Sequence, residues 1–268
     1  MKLNDGTDMP QLGLGVYKVD PETTLGLVES ALNVGYRLVD TGNFYGNEAS
    51  VGEAIRSSSV SRKDVFVTSK LWLDDLGYDQ TLRAFELSLK NLDFDYLDCY
   101  MIHWPAPLRG LYNDSWRAMS ELQGQGLVKT IGVSNFHSHH LEDLISKSDV
   151  APSINQVELH PWLNQQKLRE FHKSHGILTQ SWSPLARGQI FSEPALGEIA
   201  ASSGVSIAQV VLRWHCQNGL AVIPKTVSID RLKENLNIFD FTLSSQEMLV
   251  IDSLDRNYRT GVDPDLRN

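Results

Sequence analysis

Cysteine is almost absent from this chain. Its two cysteines, Cys99 and Cys216, provide no disulfide framework for 268 residues, and both read as free core thiols in a reducing compartment. Long apolar runs are missing too. No stretch approaches the ~20 apolar residues that a membrane span needs. The N-terminal run MKLNDGTDMPQLGLG carries no apolar leader. Positive charge is in deficit: 24 Lys and Arg against 33 Asp and Glu give a net charge of −9. That balance argues against nucleic acid and anionic membrane as partners, although a local basic pocket for one phosphate stays open. No linker or low-complexity segment divides the chain, so one domain over residues 1–268, located in the cytoplasm, is expected.

Several nucleotide and metal motifs are also missing. Gly13-Leu14-Gly15 begins like a dinucleotide fingerprint, but Lys18 stands where the third glycine belongs. There is no phosphate loop of the Gly-x-x-x-x-Gly-Lys-[Ser/Thr] kind and no His-Glu-x-x-His. A metal-dependent hydrolase using His103, His160 and Asp40 therefore has little support. His172 and His175 read as polar surface on an outer helix.

An alternation is present instead. After a small hairpin turning at Asn4-Asp5-Gly6, strand patterns fall at Leu12–Tyr17, Arg37–Asp40, Val65–Ser69, Tyr96–Ile102, Thr130–Val133, Ile154–Glu158, Leu178–Ser181 and Ala221–Ile223. Helical patterns lie between them at Pro21–Val34, Glu48–Ser57, Asp79–Leu92, Ser115–Gln123, His139–Ser146, Gln165–His175 and Ile207–Gln217. The runs Val65–Ser69 and Tyr96–Ile102 are apolar on nearly both faces, as strands of a helix-covered parallel sheet should be. Eight alternations over a length near 250 residues predict a (β/α)8 TIM barrel with a short N-terminal β-hairpin. The last ~14 residues lack periodicity and read as a surface tail.

Active sites of such barrels lie at the C-terminal strand ends. Asp40, Lys70 and His103 all fall there, and Tyr45 follows Asp40 in the next loop. Any one of these alone is ordinary, since rim lysines and loop tyrosines are common. Together they make a proton-handling set. A phenol, with an ordinary pKa near 10, donates a proton to a carbonyl oxygen. An adjacent ammonium is expected to lower that pKa, a carboxylate holds the ammonium, and a neutral imidazole orients the carbonyl. None of the four attacks carbon, so a nicotinamide hydride is the expected reductant. Tyr17, Trp72 and Trp104 sit where they would wall a pocket for small carbonyls, with Phe44 and Phe136 as further neighbours. Arg109 or Arg259 would attract an acidic substrate, but the solvated-surface reading is the stronger one for each.

The runs Asp40-Thr-Gly-Asn-Phe-Tyr45-Gly-Asn-Glu48, Thr68-Ser-Lys70-Leu-Trp72, His103-Trp-Pro105, Ile131-Gly-Val-Ser-Asn135-Phe136 and Ile223-Pro-Lys225-Thr resemble the signature blocks of the aldo-keto reductases. Gln180-Ser-Trp182-Ser-Pro-Leu185 is most similar to the prokaryotic branch that includes 2,5-diketo-D-gluconate reductases. The resemblance implies NADPH-dependent reduction of small aldehydes or ketones, among them diketo sugar acids, methylglyoxal and keto esters. It implies a tetrad of Asp40, Tyr45, Lys70 and His103. It places Ser134, Asn135 and Gln156 on the nicotinamide carboxamide, Trp182 against the nicotinamide ring, and Ser183 and Leu185 nearby. Lys225, Thr226, Val227, Ser228 and Arg231 would hold the 2′-phosphate, and Glu234 and Asn235 the adenine. Asp230 beside that clamp leaves room for some NADH use. A monomer is expected. The alternative implied by the wider superfamily is a cofactor-binding regulatory subunit with slow turnover, but no added interaction segment is visible.

Overall fold

The computed structural model describes residues 1–268. Eight strands pair in parallel and in chain order: β1 (Leu14–Gly15), β2 (Leu38–Asp40), β3 (Phe66–Leu71), β4 (Leu97–Ile102), β5 (Val128–Ser134), β6 (Ile154–Glu158), β7 (Leu178–Trp182) and β8 (Ala221–Val222). The sheet closes on itself where Leu12 bridges Val222. There the Gly13 N–H donates to the Val222 carbonyl at 2.9 Å and the Val222 N–H to the Gln11 carbonyl at 2.8 Å. The expected (β/α)8 barrel is the fold. β1 and β8 are shorter than their apolar runs suggest, because only part of each run meets its neighbours in regular register.

The helices are α1 (Pro21–Val34), α2 (Glu48–Ser57), α3 (Tyr78–Leu92), α4 (Tyr112–Gly124), α5 (Ser138–Ser146), α6 (Gln166–Ser174), α7 (Pro194–Ser203), α8 (Ile207–Gln217), α9 (Ile229–Leu236) and α10 (Ser245–Asp252). Beyond the seven helical patterns of the sequence lie α7, α10 and α9, the last of them the helix that the run from Lys225 to Arg231 is expected to start. The buried residues of α7 are Leu196, Ile199 and Ala200, a narrow stripe among small residues. α10 buries only Ile251, and its sequence signal is the capping box of Ser244 and Glu247 rather than periodicity.

Side chains alternate along a strand. One file faces the helices and joins a 55-residue core. The other faces the barrel interior, where Leu38, Phe66, Cys99, Met101, Ile154 and Ala221 pack with Leu3 and Met9 of the N-terminal hairpin. That hairpin forms as a single antiparallel bridge, Lys2 to Asp8, and plugs the lower end. Counting on by twos from these inward residues reaches Asp40, Lys70, His103, Gln156 and Glu158. The period that builds the core also delivers the polar residues to the upper end.

α2 lies so close to the end of α3 that a Cβ built on Gly52 would stand 2.0 Å from the Leu92 carbonyl oxygen. Backbone cannot swing aside as a side chain does. Gly52→Ala is therefore expected to destabilise the protein by at least about 2 kcal/mol, read as a lower urea midpoint at unchanged m-value.

Two expectations fail here. Cys216 is half-buried rather than in the core, whereas Cys99 is fully enclosed in β4. His172 is buried, not on the surface: Asn155 Nδ2 approaches its Nε2 at 2.9 Å and Thr179 Oγ1 its Nδ1 at 2.8 Å. It shares the sheet-facing side of α6 with Leu168, one turn away. Burial, with help from His175, holds its pKa down to about 3. The neutral ring accepts the Asn155 amide, and a protonated ring would lose that bond. A depressed histidine pKa stabilises the fold fully above the unfolded value near 6.5, and the contribution falls as pH drops toward the folded value. Stability is thus expected to fall by about 2 kcal/mol from this group between pH 7 and pH 5. Urea titrations at the two pH values check it, with a smaller fall in His172→Gln.

Candidate active site

Asp40 ends β2 beside Thr68 of β3, and Lys70 lies next to Met101 of β4. Lys70 Nζ donates to Asp40 Oδ1 at 2.5 Å and to the Thr41 carbonyl at 2.8 Å. Both side chains are removed from solvent. The other Asp40 oxygen accepts from Gln156 Nε2 at 2.7 Å, and Gln156 Nε2 also reaches Gln180 Oε1 at 2.8 Å.

The loop after β2 carries Tyr45 in a short 3-10 turn, Asn43–Tyr45, closed by Gly46 at φ 70. The loop is tied down by buried Asn47, whose amide donates to the Val16 and Val19 carbonyls and accepts from Thr41 Oγ1. Glu48 is buried beside it and accepts from Ser69 Oγ at 2.6 Å and Asn91 Nδ2 at 3.0 Å. Tyr45 thus rests with its ring 4.9 Å from Lys70 Nζ and 5.6 Å, edge-on, from the His103 ring.

The His103 main chain is fixed on both sides. Its N–H donates to the Leu71 carbonyl, and its carbonyl accepts from Asn135 Nδ2 at 3.0 Å. Its Nδ1 is buried without a partner. Burial, Lys70 and Arg267 push its pKa well below the usual histidine value, so the ring is neutral.

The expected acidification of Tyr45 is not found. Burial, then Asp40, then Tyr17 push its phenol well above the ordinary value. Burial also lowers the Lys70 pKa, against the pull of Asp40. The Lys70 charge is engaged by Asp40 at 2.5 Å, so Tyr45 sits in the field of a neutralised pair.

Around this cluster Trp72 stands 5.1 Å from His103 and stacks on Phe44 at 3.7 Å, and Tyr17 lies 4.9 Å from Tyr45. The Trp104 ring lies 6.5 Å from His103. Phe136 does not join them. It is buried against Tyr112 and His140.

Ser134 pairs with Gln156 across β5 and β6, and its hydroxyl donates to the Gln156 carbonyl at 2.8 Å. Asn135, at φ 63, accepts from Trp182 Nε1 at 2.8 Å. Ser183 and Leu185 occupy the tight turn after β7, with Ser183 at φ 48. Past β8, Thr226 Oγ1 accepts the Ser228 N–H, and Ser228 caps α9 through the Arg231 N–H. Val227 is exposed. Lys225 Nζ donates to the Lys18 carbonyl at 2.8 Å. Glu234 accepts from Ser206 Oγ, and Asn235 is buried beside Tyr36, so both already have protein partners.

The C-terminal segment is not a loose surface tail. Glu158, fully buried, binds it: its carboxylate accepts from the Thr260 N–H at 2.6 Å, Thr260 Oγ1 at 2.5 Å, and the Gly261 N–H at 2.9 Å. His160 Nε2 lies 3.1 Å away. Burial alone would raise the Glu158 pKa, but these bonds outweigh it and hold the carboxyl below its usual value. Gly261 fits against Trp182 so closely that a Cβ would stand 2.6 Å from Cη2. Asp263 then meets His137, and Asp265 meets His139 and His140, each at 3.2 Å. Glu158 and Arg267 are absent from the sequence-predicted site. The available signal for Glu158 is a carboxylate at a strand end, two residues beyond Gln156. Arg109 instead binds the Leu73 carbonyl and Asp74, and Arg259 approaches Glu158 at 3.9 Å. His103, His160 and Asp40 do not converge, because His160 binds Glu158 and Asp40 binds Lys70.

A surface cavity of about 360 Å³ lies at the opposite, N-terminal end of the barrel, among Arg37, Lys63, Asp98 and Lys129. Asp98 there is already paired with Arg62 and Lys129 at 2.7 and 2.9 Å.

A closed (β/α)8 barrel whose buried polar residues gather at the C-terminal strand ends is an enzyme scaffold. The chain belongs to the aldo/keto reductase family, whose model matches residues 9–256, and is an oxidoreductase of that family. It is 48% identical over 268 residues to the uncharacterized oxidoreductase YtbE of Bacillus subtilis (strain 168), covering 98% of this chain and 95% of that protein. It is 46% identical over 267 residues to the glyoxal reductase of the same organism, covering 99% and 96%. Among solved structures, a variant of Gox0644 in complex with NADPH superposes with a TM-score of 0.97 at 46% identity, covering 100% of this chain and 98% of that one.

Proposed function

We propose that this protein reduces small aldehydes and ketones to alcohols with NADPH, Tyr45 serving as the acid. The observation that carries the reading is the buried Lys70–Asp40 pair, 2.5 Å apart, beneath Tyr45 and beside a neutral His103. The glyoxal reductase relative and the NADPH complex of Gox0644 support the substrate class and the cofactor.

The donor set fits NADPH. Ser134, Asn135 and Gln156 bring hydroxyl and amide groups to adjacent strand ends beside the Trp182 indole, suited to a carboxamide and a flat ring. Lys225 and Arg231 flank the capped start of α9, with neither in an ion pair, so both are available to a phosphate. Asp230 in the first turn of α9 works against that phosphate and leaves room for NADH.

When bound, the nicotinamide supplies a hydride to the carbonyl carbon. As the carbonyl π bond opens, its electron pair collects on oxygen, and Tyr45 transfers its phenolic proton there. The high pKa keeps that proton on Tyr45 until the oxyanion develops. Lys70 then faces the phenolate left behind, and Asp40 keeps Lys70 oriented. Neutral His103 donates a hydrogen bond that holds the carbonyl oxygen. Trp72, Trp104 and Tyr17 exclude water, which strengthens each of these interactions.

The direct test is loss of NADPH absorbance when methylglyoxal, glyoxal or simple aldehydes are added. A protein that binds NADPH but turns over none of them is not the reductase described.

A further inference from the structure

Arg267 is an arginine without a counter-ion at the edge of the candidate pocket. The two arginines that the sequence offers for an acidic substrate, Arg109 and Arg259, each approach a carboxylate, and Arg267 approaches none. Its guanidinium carbon lies 5.5 Å from the Trp72 ring centroid and 5.9 Å from that of Trp104. Those are the two tryptophans nearest His103. Its Nε is buried and has no hydrogen-bond partner. An arginine N–H removed from water and left unpaired costs free energy that a bound anion would recover.

The chain holds Arg267 in place. Thr260 and Gly261 are bound by Glu158, and Asp263 and Asp265 by the histidines of α5 and its N-cap. Pro264–Leu266 form a 3-10 turn capped by Asp263. Beyond Arg267, Asn268 Oδ1 accepts the Leu108 N–H at 2.8 Å. Segments on both sides of the arginine are thus fastened to the barrel rim. Its charge is felt at His103, where it helps hold the ring neutral.

We infer that Arg267 binds the carboxylate of the substrate, so that this protein selects carbonyl compounds bearing an acid group over neutral ones. A single guanidinium offers one positive charge and a planar fork of donors, which matches one carboxylate. Two other cations of this end of the barrel are already engaged, Lys70 by Asp40 and Arg109 by Asp74. The pocket tryptophans would cover the carbon chain between acid and carbonyl. The inference rests on the carbonyl-reductase reading, and the experiment separates the two.

Initial rates with NADPH compare 4-oxobutanoate with its methyl ester, and 4-formylbenzoate with its methyl ester. Each pair keeps the carbonyl and removes the charge. The native protein is expected to favour the acid of at least one pair about tenfold in kcat/KM, mainly through KM, as a charge-assisted contact should. In Arg267→Ala that preference is expected to fall to about one. Binding is measured separately by quenching of tryptophan fluorescence on adding succinate or 4-formylbenzoate to the protein saturated with NADP+. The Kd is expected to rise about tenfold in Arg267→Ala. If neither acid is favoured, or if Arg267→Ala leaves preference and Kd unchanged, the inference is overturned. If carboxylate binding depends on Arg267 while no carbonyl is reduced, the anion site stands and the reductase reading fails.

Discussion

Tyr45→Phe is expected to lose turnover by at least about a hundredfold, the lower end of what a positioned general acid contributes. The change removes one oxygen. The ring keeps its contacts with Tyr17, Lys70 and His103, and Asn47 still anchors the loop through the Val16 and Val19 carbonyls. NADPH affinity should therefore stay within about twofold, since no residue of the proposed cofactor set depends on the phenol. The loss should appear in kcat and kcat/KM alike, as for an interaction made only when charge develops on oxygen. Steady-state rates and a cofactor fluorescence titration on the same preparation decide it. Undiminished kcat in the variant would remove Tyr45 from the chemistry.

Lys70→Met is the second large effect, and it acts on stability as well as rate. Methionine fits the space but leaves the Asp40 carboxylate buried, with Gln156 as its remaining side-chain donor. An uncompensated buried charge costs about 3–5 kcal/mol. Lys70→Met combined with Asp40→Leu removes both charges, and such replacements are often neutral or stabilising. The double variant is therefore expected to regain most of the lost stability in urea titration. Turnover should stay near background in both, because neither retains an ammonium to face the phenolate. A double variant no more stable than Lys70→Met would show that the pair is not the dominant cost. Recovered turnover would show that the ammonium is dispensable.

Much of the site is legible in the order of residues alone. Asp40, Lys70 and His103 end apolar runs, and inward-facing residues two or four positions earlier, such as Leu38, Phe66 and Met101, set the parity that turns them toward the barrel axis. Tyr45 follows Asp40 by five residues, close enough that one anchored loop delivers it. The departures turn on environment. The direction of the Tyr45 pKa is set first by burial and then by the nearby Asp40 carboxylate, and both come from packing between elements distant in the chain. His172 reads as surface because polar residues surround it in α6. It is buried because Asn155 and Thr179 on the sheet give both ring nitrogens a partner.

Local pattern alone determined the alternation of strand and helix, the count of eight strands and the identity of the strand-end residues, because periodicity and capping act over a few residues. The tertiary structure decided the course of the C-terminal segment. Thr260 and Gly261 lie about a hundred positions beyond Glu158 in the chain, and neither carries a signal that a buried carboxylate awaits it. Folding brings them together because Glu158 must satisfy its oxygens once the barrel has removed it from water. The backbone N–H groups of that segment are the donors within reach. This contact carries Arg267 to the pocket edge, a placement that no short window of sequence contains.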